Sequence, residues 1–153
     1  DRYLGETGQA YIERRDPPVE EAIRRARAAG GVTSLAHAIR LNQTDPAREM
    51  QLISAWAKAG LDAVEVWHTD HGEAEEIRYG RMADACGLAR TGGSDFHGEH
   101  TPGILPGMGK GRLRVPPSAL DDFYRIALGR VQDAGISGLS AEIGQRPHDS
   151  GGR

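Results

Sequence analysis

Three short polar clusters in this chain have the residue types and spacing to do chemistry: His37, then His68 to His71 with Asp70 between, then Asp95 and His97. Asp95-Phe96-His97 follows Gly92-Gly93-Ser94. Residues two apart in extended backbone point to the same side, so a carboxylate and an imidazole can face one cation. Carboxylate oxygen mixed with imidazole nitrogen suits Zn, Mn or Fe(II) without choosing among them. The glycine pair lets the backbone turn or approach closely where a side chain would obstruct it. An isolated Asp-x-His is more often an ordinary surface turn. With His37 at the matching end of a neighbouring unit, the metal reading is favoured, with His37, Asp95 and His97 as ligands.

The other candidates are more open. Arg40, three residues after His37, suits a phosphate clamp or is simply solvated. His68 and His71 can be metal ligands, phosphate contacts or solvated residues, with substrate contact slightly ahead. Glu65 sits among apolar strand residues, where a buried carboxylate needs a partner; it either orients a ligand or pairs with an arginine. Strand parity puts Glu65 and His68 on opposite faces, so at most one enters the site unless the strand has ended by His68. His100 and Arg112 can line the same face on weaker grounds, and His148 is given no role.

These residues need elements to position them. Asp16-Pro17-Pro18 opens a helix, since prolines suit a helix's first turn, and Gly30-Gly31 closes it. A strand is expected over 32–37. A second helix opens at Asp45-Pro46 with Met50, Ile53, Ala57 and Gly60 on one face, followed by a strand over 62–68 rich in Val and Trp. A third helix lies within 73–86 and a third strand over 88–91. A Gly- and Pro-containing loop covers 98–111, a possible fourth strand 112–115, and Ser118-Ala119-Leu120-Asp121 has the form of a capping box before a last helix. Strand–helix alternation at this spacing means parallel βα units, whose strand ends share one face of the sheet, where sites are built. A closed βα barrel needs about 250 residues, so these units amount to about half of one. Residues 1–15 read as the end of an earlier segment, 16–130 as the barrel part and 131–153 as a disordered tail.

Composition excludes some functions. The chain has 153 residues and a formal charge of -3, which offers no bulk attraction to DNA, RNA or anionic membrane. No apolar run is long enough to span a bilayer, and no secretory signal opens the sequence. The single cysteine, Cys86, cannot form an internal disulfide and fits a buried, reduced thiol in a cytoplasmic protein.

Three segments together resemble consecutive motifs of the PHP (polymerase and histidinol phosphatase) superfamily. They are Ala28-Ala29-Gly30-Gly31-Val32-Thr33-Ser34-Leu35-Ala36-His37, Gly60-Leu61-Asp62-Ala63-Val64-Glu65-Val66-Trp67-His68-Thr69-Asp70-His71, and Gly87-Leu88 through Thr91-Gly92-Gly93-Ser94-Asp95-Phe96-His97-Gly98. The closest branch holds the 3′,5′-nucleotide bisphosphate phosphatases and 5′-to-3′ exoribonucleases. Tyr3-Leu4-Gly5 and the stretch from Pro102-Gly103 to Val115-Pro116 fit it too.

The resemblance implies an α/β fold, the C-terminal half of a distorted (β/α)7 TIM-like barrel, with two or three divalent metals (Mn, Zn, Fe or Mg). It implies His37, Asp95 and His97 as ligands and metal-activated water as the attacking group. Expected substrates are phosphorylated small molecules, nucleotides or short RNA. The family's first motif, a His-x-His, has no counterpart here and is expected upstream of Asp1, so much of the metal site is expected to lie outside this chain. Ala38 stands where the family has proline, which loosens the loop holding His37 and Arg40. Two rival readings are a barrel hydrolase acting on C–N bonds and a non-catalytic accessory PHP module.

Overall fold

The computed structural model describes residues 2, 3, 7–13 and 15–133. Helix α1 (Val19–Ala28) starts immediately after Pro18, and its buried Ile23 faces the core. Helix α2 (Pro46–Ala59) is capped by the Asp45 carboxylate, which accepts from Ala47 N–H, and ends at Gly60 with φ 107°. Such a cap is worth about 1 kcal/mol, and the positive φ is available to glycine at little cost. Helix α3 (Glu73–Cys86) runs through Gly80 and ends at Gly87. At its start the Glu75 carboxylate accepts from Gly72 N–H at 3.0 Å.

Strands β1 (Ser34–Leu35), β2 (Ala63–His68) and β3 (Ala89–Gly93) form one sheet in the order β1-β2-β3. Both pairings are parallel, as the βα alternation predicts. Val64 and Val66 of β2 turn to the helices and join Ile23, Ile53, Trp56, Tyr79, Met82 and Leu88 in the core. On the other face, the hydroxyls of Ser34 and Thr91 meet at 2.7 Å across the middle strand. Strands two apart in a flat sheet lie roughly 10 Å from each other, so this contact reports a sheet curled toward its polar face.

Five expectations need correction. The first strand is far shorter than 32–37, because His37 takes a left-handed φ of 34° and residues Ala38–Leu41 wind into a 3-10 turn. The third strand continues through Gly93 instead of stopping at Thr91. Residues 112–115 form no strand; Leu113 is buried there, while the Arg114 guanidinium donates to the carbonyls of Gly111 and Leu113. Helix α4 begins at Pro117 and runs to Asp133, which puts Ser118 inside its first turn and not at its cap. The apolar face of α2 is also more mixed than expected, with Glu49 1% exposed beside Ile53 and Trp56. Cys86 is free and partly buried. The expected tail lies outside the described residues beyond 133, and the proposed opening segment is described only in part.

Candidate functional site

The parallel register brings the carboxyl ends of all three strands to one edge. Leu35 leads to His37, β2 ends on His68, and β3 ends at Gly93 just before Asp95. His37 and Asp95 both hold positive φ, 34° and 55°. Asp and His enter this region more readily than most residues, yet such conformations cost energy and gather at binding sites. The Glu65 carboxylate secures the first, accepting from His37 N–H at 2.6 Å. Burial, the largest influence on Glu65, pushes its pKa up, and the His37 amide opposes this.

Glu65 and His68 both reach the site, contrary to strict strand alternation. Glu65 pairs with Thr91, but Trp67 pairs with Gly92, so β2 spends two steps where β3 spends one. That bulge shifts parity by one residue and returns His68 to the face Glu65 occupies. Gly92 permits it: a Cβ there would sit 2.8 Å from the Trp67 carbonyl oxygen. A Cβ on Gly93 would lie 3.0 Å from Glu65 Oε1, so the second glycine leaves room for this carboxylate.

Asp95, His68 and Arg40 form the centre. His68 is 2% exposed, its ring lies edge-on to His37 at 5.9 Å, and its Nε2 is 3.8 Å from Asp95 Oδ2. Burial foremost, then the neighbouring His71, holds the His68 pKa below its ordinary value. The Arg40 guanidinium donates to Asp95 at 2.9 Å and to Asp70 at 3.2 Å. Lys110 donates to the other oxygen of Asp70 at 2.9 Å and is the main cause of the lowered Asp70 pKa.

His97 stands at the rim. Its Nδ1 is 2.8 Å from the Asp95 carbonyl and its side chain is 66% exposed. Asp95 and His97 are therefore close, but the ring is open to solvent. His100 and Arg112 are exposed; Arg112 borders a cleft of ≈160 Å³ with His68, His71, Glu73, Glu76 and Lys110.

Two features were missed by sequence reasoning. Lys110 reaches back from the glycine-rich loop to Asp70, and no local pattern in that loop signals it. Behind His71 lies a buried polar set: Tyr79 donates to Glu49 at 2.9 Å and receives from Arg78 at 2.9 Å. Burial first, then Glu49, pushes the Tyr79 pKa up to about 12. The Tyr79 ring packs 4.9 Å from that of His71. A helix-facing tyrosine gives no sign that its partner is an acid on another helix.

Among the described residues, no group of three or more His, Cys, Asp or Glu side chains is arranged to hold a metal ion. The donors present still fit one corner of a metal site. A carboxylate and an imidazole follow the ends of the two outer strands, each on a strained backbone, and hard oxygen with imidazole nitrogen is the set that divalent transition metals take.

A parallel α/β sheet with carboxylate, imidazole and guanidinium groups gathered beyond its strand ends defines the class of protein. No family model matches the chain. Over 106 residues it is 34% identical to the phosphoribosyl 1,2-cyclic phosphate 1,2-diphosphodiesterase of Eggerthella lenta, covering 69% of this chain and 34% of that protein. Over 98 residues it is 29% identical to a 5'-3' exoribonuclease of Haemophilus influenzae, covering 63% of this chain and 35% of that one. A crystal structure of a protein assigned as a metal-dependent phosphoesterase, from Bifidobacterium adolescentis, superposes with a TM-score of 0.58 at 28% identity, covering 79% of this chain and 41% of that chain. The chain thus spans about a third of the length of the curated relatives it matches. These similarities agree with the PHP-type phosphoesterase resemblance of its motifs.

Proposed function

We propose that the protein is a metal-dependent phosphoesterase that hydrolyses phosphoesters of nucleotides or RNA 5′ ends. The observation that carries this reading is the pair of left-handed residues, His37 and Asp95, at the ends of the outer strands, with His68 between them. The names of the relatives agree with it. We read the sheet as the C-terminal half of a distorted (β/α)7 barrel, with two or three metals in the complete site. Its in-order parallel strands and the Ser34–Thr91 contact across the curl support that architecture.

In this reading His37, Asp95 and His97 hold metal. A divalent ion there supplies Lewis acidity and an activated water. Glu65 fixes the His37 backbone so that its ring meets the site. Arg40 now neutralises Asp95 and Asp70 together, and turns toward a substrate phosphate when one enters. His68 and His71 lie on the same side as candidate phosphate contacts. Among the described residues no helix is long and apolar enough to cross a membrane, and the free Cys86 agrees with a cytoplasmic setting.

The test is phosphate release by the complete gene product, loaded with Mn, from nucleotide 3′,5′-bisphosphates and short 5′-phosphorylated RNA, with amide substrates in parallel. Phosphate release with amides untouched supports the reading. A metal-loaded protein that releases no phosphate from either, or that cleaves the amides instead, overturns it.

A further inference from the structure

Among the described residues, two buried imidazole nitrogens beside the proposed metal corner have no hydrogen-bond partner: His68 Nε2 and His71 Nε2. Their rings are 5.2 Å apart and line the same cleft. The other nitrogen of each ring is held by the main chain, and in opposite senses. Asp70 N–H donates to His68 Nδ1 at 3.1 Å. That nitrogen must therefore carry the lone pair, and the ring keeps its proton on Nε2. His71 Nδ1 lies 2.8 Å from the Val66 carbonyl oxygen, which can only accept. His71 thus carries its proton on Nδ1, and in the neutral ring Nε2 is a bare acceptor.

The two nitrogens therefore ask for different partners. A phosphoryl oxygen satisfies His68 Nε2–H. A phosphate dianion offers His71 Nε2 only acceptors, and an unmatched buried acceptor is costly. A hydroxyl is what this position lacks. The Glu73 and Glu76 side chains in the same cleft add acceptors for further hydroxyls, and Lys110 and Arg112 add cations for a phosphate. The His71 ring cannot readily turn away, because Tyr79 packs on it and is itself tied to Glu49 and Arg78.

We propose that His68 and His71 form a donor–acceptor pair that selects a phosphorylated polyol, His68 donating to the phosphoryl oxygen and His71 accepting from a neighbouring sugar hydroxyl. This rests on the phosphate reading above and reassigns His71 from the phosphate to the hydroxyl next to it.

The experiment is long-range ¹H–¹⁵N correlation of the imidazoles of the whole chain at pH 8, alone and with ribose 5-phosphate or methyl phosphate. The expected spectra show His68 protonated on Nε2 and His71 on Nδ1. Both phosphates shift His68, and only ribose 5-phosphate shifts His71 Nε2. His71→Phe should weaken ribose 5-phosphate binding roughly tenfold, the loss of about one hydrogen bond. Like tautomers for the two rings, equal responses of His71 to both ligands, or no response to either would each overturn the pair. The wild-type spectra decide this even if the variant fails to fold. Reversed tautomers in a protein that releases phosphate would remove this inference alone; the expected spectra in a protein without hydrolysis would remove the hydrolase reading alone.

Discussion

The two ends of β2 carry acidic groups in opposite conditions. At its entry, Asp62 is 8% exposed and saturated: Thr33 N–H and hydroxyl donate to one oxygen, Arg27 and Arg130 to the other. This carboxylate ties α1, the β1 entry and α4 to the sheet and has no capacity left for a ligand. At the exit, Asp95 is held by the exposed Arg40, His68 and His71 each keep a buried nitrogen without a hydrogen-bond partner among the described residues, and His37 and Asp95 sit on strained backbone. The first end spends its polar groups on the fold. The second withholds them, which is how a site differs from a structural ion pair of the same composition.

The largest effect should come from breaking the saturated end. Asp62→Ala takes the shared carboxylate away from Thr33, Arg27 and Arg130 and should cost about 3 kcal/mol or more of unfolding free energy, read by urea denaturation. A loss under about 1 kcal/mol would mean that Asp62 is not the tie described. The matching change at the open end is Arg40→Ala. Its stability should stay within about 0.5 kcal/mol of wild type, while phosphate binding by calorimetry falls about tenfold. Destabilisation as large as that of Asp62→Ala would erase the contrast.

The smallest effect is in pH. The depressed pKa of buried His68 means that its contribution to stability is complete above the ordinary value near 6.5 and is lost as pH falls through the folded value. Glu65, raised by burial, acts the other way: its contribution is present below its ordinary value and lost as pH rises through the folded one. The two contributions oppose each other as pH falls from 7 to 5, and His68→Gln should remove the destabilising one, so the variant should lose less stability, or gain more, over that range than the wild type. An unchanged slope in the variant would place the titration elsewhere.

Local signals made much of this legible. Asp45-Pro46 and Gly60 bound α2, and the Val- and Trp-rich run marked β2. Parallel alternation by itself brings His37, the 68–71 cluster and Asp95 to one edge. What stayed hidden depends on pairing between distant segments. The bulge that turns Glu65 and His68 to one face arises where Trp67 meets Gly92, and neither segment announces it alone. The early end of β1 depends on the Glu65 carboxylate that accepts from His37 N–H. Glu49 is buried only because Tyr79 and Arg78 of α3 meet it, and Lys110 joins the site through a loop without periodicity. Short-range patterns show which residues can do chemistry; long-range contacts decide which of them face one another.

The central claim is that the exit end of the sheet is a metal corner built on Asp95. It is tested most directly by metal stoichiometry of the complete gene product, wild type against Asp95→Ala, by mass spectrometry after dialysis, with folding checked by circular dichroism. The account predicts at least one bound metal fewer in the folded variant and most of the phosphate release gone. A folded Asp95→Ala protein with unchanged metal content would contradict it.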